Sequence, residues 1–235
     1  STTGSANPWS NLPSIGARWN FKNENFAADW DFLEYGMIRG SWGKNNIPSG
    51  TTSDGYGRYT SDSQTSDNQP SVTLDQGVIP NIALLPQTTT MLNGAIEFGF
   101  KNGITFLYEN YYKQSDQILR TKEIANINAF GKVNTNETSL VNMGHEFIIG
   151  YRPKKKGDFS YSLNLNGALN KDYAAALPDN VRQLLLQDNS VYKQSILYRL
   201  GINSLSNVLL HYNGVYKSDD EVPVNPLTGL RYRVG

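Results

Sequence analysis

The chain of 235 residues contains no cysteine, carries no formal net charge and has no long apolar run. Without cysteine it forms neither a disulfide framework nor a thiolate metal site. The 21 basic and 21 acidic residues balance each other, which argues against a nucleic-acid partner. A membrane-spanning helix needs roughly 18 consecutive apolar residues, and the sequence has no such run. Crossing a membrane with strands stays open, because a barrel strand needs only alternate apolar residues.

The residues present in abundance favour strands and turns. The chain has 14 Tyr, 9 Phe and 4 Trp beside 21 Gly. Aromatic side chains fit a pleated, half-buried surface, and Gly tolerates the backbone angles of tight turns. This composition favours an all-β fold.

Apolar and polar residues alternate with a period of two along much of the chain. A helix has a period of 3.6, so the pattern predicts strands. Between two of them, Asn102-Gly103 is typical of a hairpin turn. Only residues 178–187 are predicted to be helical, with Asp179 or Asn180 as the N-cap. The predicted strands number about eight and cover 15–21, 33–43, 91–100, 104–113, 142–151, 159–170, 195–203 and 208–217.

The connections between these strands alternate in length. Long ones fall at 44–90, 114–141 and 171–194, and short ones such as 101–103 lie between them. Long structureless loops are uncommon in compact soluble domains. Short turns at one rim and long extracellular loops at the other are typical of outer-membrane barrels. The fold is therefore predicted to be a transmembrane antiparallel β-barrel, present here in part.

In such a barrel the alternation gives each strand one face toward lipid and one toward a wet lumen. The reverse register would place amides and hydroxyls in hydrocarbon without partners, which is strongly unfavourable. The polar residues predicted to face the lumen are Asn93, Glu97, Glu109, Glu146, Ser160, Ser162, Asn164 and Asn166. The aromatic residues predicted to form interfacial girdles are Trp19, Tyr35, Trp42, Tyr112 and Tyr151.

The longest predicted loop contains Tyr56, Arg58 and Tyr59, which are the candidates for contact with a substrate or a lid protein. Aromatic rings stack on sugars and pack against protein partners, and packing within the loop is the equal alternative. His145 and His211 are predicted to lie on different strands without a cluster of other ligand types, so no metal site is predicted. Fingerprints of nucleotide-binding loops and nucleophilic enzymes are missing from the sequence, and no cofactor is expected.

Short motifs occur in order along nearly the whole chain. They are LPSIGARW at 12–19 followed by ENF at 24–26, MIRGSWG at 37–43, YYK at 111–113 with IL at 118–119, VNMGHEF at 141–147, and NGVY at 213–216 with DEV at 220–222. In these motifs the chain resembles the SusC-like TonB-dependent transporters of Bacteroidetes outer membranes, in the later part of their barrel. Trp42 stands where that family usually has Tyr.

The resemblance implies a barrel of about 22 strands in contact with outer-membrane lipid, with a plug, a periplasmic contact to TonB and a SusD-like surface lipoprotein as a lid. It also implies import of glycans or oligopeptides across the outer membrane of a Gram-negative bacterium, without enzymatic activity. Residues 1–235 are expected to be an incomplete TonB-dependent receptor barrel domain, because plug and TonB-box segments are absent from the sequence.

Two alternatives stay open at this point. One is a complete small barrel of about eight strands, whose interior is filled by side chains, although the Ser- and Asn-rich predicted lumen face argues against it. The other is a secreted β-sandwich that binds glycans. A hydrolase is a more distant possibility, because a glycosidase needs two carboxylates at a defined separation. Nothing in the sequence fixes such a separation.

Overall fold

The structure, a computed structural model, describes residues 9–66, 69–125, 127, 129–153, 159–187, 195–204, 206–207, 211–212, 214–215, 218, 222–224 and 229–231. Six strands form the main sheet, and each is antiparallel to its neighbours. In spatial order they are β1 (Ser14–Trp19), β2 (Leu33–Ile47), β5 (Gln87–Phe100), β6 (Ile104–Glu123), β7 (Lys132–Tyr151) and β8 (Leu163–Ala176). This arrangement confirms the predicted antiparallel all-β fold.

Smaller elements extend from the main sheet. The hairpin of β3 (Tyr59–Ser66) and β4 (Gln69–Leu74) follows the short helix α1 (Thr52–Tyr56). A three-stranded sheet contains β9 (Gln183–Gln187), β10 (Ser195–Arg199) and β11 (Ser206–Asn207). Single 3-10 turns lie at Phe21–Asn23, Asn25–Ala27 and Pro178–Asn180. None of the helices in the described ranges has the length and hydropathy needed to span a bilayer.

The register of the main sheet sorts its side chains into two faces. Residues directly opposite each other on neighbouring strands point to the same side. One side, here called the apolar face, holds Ile15, Trp19, Ile38, Trp42, Leu92, Ile96, Phe98, Phe106, Tyr108, Phe147, Ile149, Leu165 and Leu169. The other side, here called the polar face, holds Arg39, Ser41, Asn93, Glu97, Glu109, Tyr111, Glu146, Asn164, Asn166 and Asn170. The predicted alternation is therefore confirmed.

The apolar face is exposed. The exposed fraction is 71% for Ile15 on β1, and 61% and 69% for Leu165 and Leu169 on β8, so the exposure extends to both edges of the sheet. A β-sandwich would bury such a face against a second sheet. The exposed side chains of the described strands contradict the sandwich alternative.

The apolar side chains form a layer of limited height, here called the apolar band. It starts at the turn end of the sheet, where the 101–103 turn lies and Ile104 is opposite Tyr151. It ends at one row of mutually opposed residues, here called the boundary row, formed by Ile15, Trp42, Leu92, Tyr112, Met143 and Lys171. One step further on the same face lie the polar residues Lys44, Thr90 and Gln114 on β2, β5 and β6, whereas β7 and β8 have Val141 and Tyr173 in that row. Along β5, β6 and β7 the band is about nine residues long, which is what a tilted strand needs to cross hydrocarbon.

Several strands continue past the boundary row, toward what is here called the loop end. The β6–β7 hairpin rises by about ten residues, or roughly 30 Å, beyond that row. Most of the predicted loop 114–141 is therefore strand, and only residues 124–131 connect β6 to β7. The prediction was wrong because it ended each strand where apolar and polar residues stop alternating. A strand needs that alternation only where one of its faces is shielded from water.

The structure changes two further predictions. Residues 178–187 do not form a helix, because Asp179 has a φ of 55° and β9 pairs with β10. β8 begins at Leu163, so Ser160 and Ser162 lie before the strand in which they were predicted. The predicted strand 208–217 falls largely outside the described residues.

Aromatic rings gather on the apolar face near the turn end. Neighbouring centroids are 5.9 to 6.4 Å apart, and the rings belong to Trp19, Phe21, Phe26, Trp30, Phe32, Phe98, Phe100 and Phe106. Trp42 and Tyr112 lie in the boundary row, so aromatic residues occur at both edges of the apolar band. Tyr35 lies opposite Gly99 on the polar face, and its prediction as a girdle residue was wrong.

Candidate lumen wall and loop site

The polar face contains an ion pair that crosses three strands. The Nη2 of Arg39 on β2 donates to the Oε2 of Glu109 on β6 at 2.6 Å. Ala95 of β5 is opposite both residues, and its small side chain lets the arginine reach across. The side-chain amide of Asn93 also donates to Glu109. Because the two charged side chains are 40% and 25% exposed, the pair contributes at most about 1 kcal/mol. Its main effect is to fix the orientation of the carboxylate.

Two further carboxylates lie on the same face. The hydroxyl of Tyr35 donates to the Oε1 of Glu97 at 3.1 Å. Glu146 lies directly opposite Glu109, and like charges in this arrangement repel each other. No basic side chain in the described part of the chain forms an ion pair with Glu146. The polar face therefore presents the carboxylate of Glu109, which Arg39 neutralises, beside that of Glu146, which an outside cation or hydrogen-bond donor can approach.

Most residues predicted to face the lumen share the polar face, namely Asn93, Glu97, Glu109, Glu146, Asn164 and Asn166. For Ser160 and Ser162, facing the lumen stays a prediction. The sequence interpretation missed Arg39 and Tyr35, which supply the partners of these carboxylates. Both lie at odd-numbered positions of β2, and the period-two spacing between them was the signal that would have located them.

The predicted loop residues lie at the start of the β3–β4 hairpin. Tyr56 ends α1 with 55% of its surface exposed, and Tyr59 begins β3 with 71% exposed. Between them, the Nη2 of Arg58 donates to the Oδ2 of Asp75 at 2.8 Å. Hydrogen bonds from the amide of Gly77 and from Arg58 hold the pKa of the Asp75 carboxyl below its usual value. The two rings are accessible to a partner, whereas the guanidinium is engaged within the loop.

Hydrogen bonds centred on Asn134 of β7 hold the 48–86 connection against the β6–β7 hairpin. Asn134 is 7% exposed. Its side chain accepts from the Oγ1 of Thr121 at 2.8 Å and donates to the Oδ1 of Asp54 at 2.7 Å. Its carbonyl accepts from the Nδ2 of Asn81 at 2.9 Å. Since Asp54 belongs to α1, these bonds fix the helix that carries Tyr56.

We expect Asn134→Ala to release the 48–86 connection while leaving the main sheet intact. The substitution leaves polar groups of Asp54 and Thr121 without their partner, at about 1–3 kcal/mol for each group that stays buried. Limited proteolysis of the purified protein should then cut within 48–86 faster than in the wild type. Asn142→Ala, at an exposed position of the same strand, is the matched control. Equal cleavage of the two variants would contradict the anchoring role.

No three His, Cys, Asp or Glu side chains among the described residues converge where a metal ion would be held. His145 and Glu146 point to opposite faces of β7, as the sequence predicts for neighbours on a strand. The chemistry that this wall and loop offer is therefore hydrogen bonding, charge and aromatic stacking.

The sequence is similar to TonB-dependent receptors, although no family model matches it. It is 31% identical over 175 residues to the TonB-dependent receptor SusC of Bacteroides thetaiotaomicron, covering 68% of this chain and 17% of that receptor. It is 23% identical over 214 residues to the TonB-dependent receptor P3 of Formosa agariphila, covering 90% of this chain and 21% of that receptor. The chain thus spans about a fifth of the length of the curated relatives it matches.

The fold is similar to that of the RagAB peptide importer. The open-open state of that importer gives a TM-score of 0.78 at 16% identity, over 98% of this chain and 25% of the other. The closed-closed state gives a TM-score of 0.76 at 15% identity, over the same shares. At this identity the likeness concerns the fold alone, that of a partial barrel. On sequence and fold together, the chain is SusC-like: its sequence is similar to TonB-dependent receptors and its fold is that of a partial β-barrel.

Proposed function

We propose that the chain is part of the wall of a nutrient importer in the outer membrane of a Gram-negative bacterium. In this role the apolar face contacts lipid, the polar face lines the lumen, and the loop end points out of the cell. The wall performs no chemistry and instead arranges polar groups and loops around a substrate passage. Support comes from relatives named as receptors and from the fold shared with a peptide importer.

The observation that carries this proposal is the common height at which the apolar band ends on β2, β5 and β6. A face buried by protein has no reason to change from apolar to polar at the same level on three successive strands. A lipid layer imposes that limit, because hydrocarbon ends at one height for every strand that crosses it. The aromatic residues of the boundary row, Trp42 and Tyr112, suit the interface where such a limit lies.

The proposal extends to cargo, lid and energy source. The cargo is a glycan or an oligopeptide, a SusD-like surface lipoprotein closes over the loop end, and TonB acts through another segment of the whole receptor. Tyr56 and Tyr59 are the proposed contacts with cargo or lid, because exposed rings stack on sugars and pack on protein. Arg58 supports them from within the loop through its bond to Asp75. The polar residues proposed to line the lumen are Asn93, Glu97, Glu109, Glu146, Ser160, Ser162, Asn164 and Asn166.

Spin labels on single cysteines along β8 test which face meets lipid. The chain has no cysteine of its own, so each introduced cysteine is the single attachment site within it. The labels are attached in the full receptor in outer-membrane vesicles. We expect a label at Leu165→Cys to be relaxed by oxygen, which concentrates in hydrocarbon. Labels at Asn164→Cys and Asn166→Cys should instead be relaxed by a water-soluble nickel complex. Equal accessibility at all three positions, or the reverse order, would refute the proposed faces.

A further inference from the structure

The apolar face carries a polar patch on β6, β7 and β8 beside the boundary row. It is here called the boundary patch and consists of Tyr108, Asn110, His145 and Lys171. The register places them on this face, because His145 is opposite Asn110 and Lys171 is opposite Met143. Lys171 lies in the boundary row itself, and His145 lies one step inside the apolar band. An ionisable group inside the band, as His145 is, is rare and marks a site with a partner.

The inner part of the patch is ordered by its own contacts. The hydroxyl of Tyr108 lies 2.7 Å from the Nδ1 of His145, and the Nδ2 of Asn110 lies 3.2 Å from the same nitrogen. The Asn110 amide also donates to the carbonyl of Gly144 at 3.1 Å. The rings of Tyr108 and His145 are stacked with centroids 6.0 Å apart. Because the amide nitrogen of Asn110 can only donate, we assign Nδ1 as the acceptor, and Nε2 is then the N–H donor left for an outside group.

Lys171 supplies a cation at the edge of the apolar band. It is exposed, and its Nζ lies 6.0 Å from the centroid of the Tyr173 ring. Among the described residues no carboxylate lies within ion-pair distance of it. The neighbouring Asp172 points to the polar face, where it accepts from the backbone amide of Ser204 at 3.0 Å. The ammonium is therefore not neutralised from within the described part of the chain.

Donors on a surface that faces hydrocarbon need an outside acceptor, because acyl chains provide none. An ammonium at the edge of the band and an imidazole N–H one step deeper suit a phosphate, which is anionic and has several acceptor oxygens. An uncharged sugar headgroup would leave the ammonium unmatched. We propose that the boundary patch binds a phosphate of an outer-leaflet glycolipid, with Lys171 as the cation and His145 Nε2 as the second donor.

This inference rests on the proposed function, because the apolar face must contact lipid. The choice of leaflet follows from the direction of the strands. The boundary row is the edge of the band nearer the loop end, and outer-membrane barrels place their longer connections outside the cell. The lipid that meets this edge is therefore the phosphorylated glycolipid of the outer leaflet.

Lipid retention by the full receptor tests the inference. The receptor is placed in phosphatidylcholine nanodiscs with equal trace amounts of diphosphorylated lipid A and its dephosphorylated form, and retained lipid is read by native mass spectrometry. We expect preferential retention of the phosphorylated form, and Lys171→Gln to lower it about five-fold, the usual effect of one cation at an anionic surface. Lys113→Gln, which removes the same charge next to the boundary row on the polar face, should change nothing.

His145 has its own variants in the same assay. His145→Leu should lower retention, and His145→Gln should keep part of it, because the glutamine amide still donates. Equal retention of both lipid A forms, or no effect of Lys171→Gln, would overturn the inference. In nanodiscs that carry an equal trace amount of phosphatidic acid as well, stronger retention of phosphatidic acid than of lipid A would overturn the assignment to the glycolipid. If the spin labels on β8 alternate in accessibility but the lipid-retention test fails, the inference falls and the proposed function stands. If the spin labels do not alternate, both the proposed function and this inference fall.

Discussion

Leu165→Arg should leave most of the receptor unassembled in the outer membrane. Leu165 lies on the apolar face opposite Ile149 and is 61% exposed. A guanidinium there meets hydrocarbon, which costs about 2–4 kcal/mol near the bilayer midplane. That is a large part of a typical unfolding free energy of about 5–15 kcal/mol. The fraction of heat-modifiable, folded receptor in isolated outer membranes measures the loss, and urea unfolding in vesicles measures the stability.

Asn166→Arg is the matched control for this substitution. It introduces the same side chain on the adjacent residue of β8, where Asn166 lies opposite Ile148 on the polar face. Its guanidinium can remain hydrated, so assembly and urea midpoint should stay close to those of the wild type. Equal damage from both variants would mean that the two faces have been assigned wrongly.

Gly103→Ala should destabilise the hairpin of β5 and β6. Gly103 has a φ of 90°, a conformation that residues with a side chain rarely adopt. A Cβ at this position would lie 2.1 Å from the carbonyl oxygen of Arg152, and that oxygen is held because the Arg152 amide donates to the Gly103 carbonyl at 2.8 Å. Backbone strain and overpacking together should lower the unfolding free energy by roughly 2–4 kcal/mol. Urea unfolding in vesicles, followed by tryptophan fluorescence, measures this loss.

Gly94→Ala separates the strain at the turn from the effect of adding a methyl group. Gly94 lies on the apolar face of β5, where an added Cβ would meet no heavy atom within 4 Å. Its variant should stay within about 0.5 kcal/mol of the wild type. A similar loss in both variants would argue against a special role for the 101–103 turn.

The strands that sequence predicted well are those inside the apolar band. The return strand of the first hairpin was predicted to end at residue 113, one residue past Tyr112 of the boundary row. Its pairing continues to Glu123, but the residues beyond the apolar band no longer alternate between apolar and polar. Sequence therefore located the end of the apolar band on β6 but not the end of the strand, because alternation reports the environment of the side chains and not the main-chain hydrogen bonds.

The error at residues 178–187 has a different origin. Local propensity favours a helix for its leucines, but β9 pairs with β10, with Leu184 opposite Tyr198. The core around Tyr198 also includes Ala174 and Leu177. Pairing with a distant segment overrides local preference, and a single sequence does not show which segments will meet.

The polar face shows the same limit of sequence reasoning. Its carboxylates were predicted from the alternation, whereas their partners depend on which strands are neighbours. Arg39 and Glu109 are 70 positions apart and meet only because β5 lies between β2 and β6. The Asn134 contacts likewise join the 48–86 connection to a hairpin far along the chain. Such pairs follow from the topology, which alternation leaves undetermined.

Because β6 and β7 continue beyond the boundary row, each of these strands has two parts that meet different structural requirements. In the proposed importer, substitutions below the row are constrained by the bilayer, whereas above it main-chain pairing maintains the frame and tolerates many side chains. Mutations that change the captured substrate would then accumulate on the protruding part without obstructing insertion. On this proposal, such importers change their substrates while the assembly of the barrel stays the same.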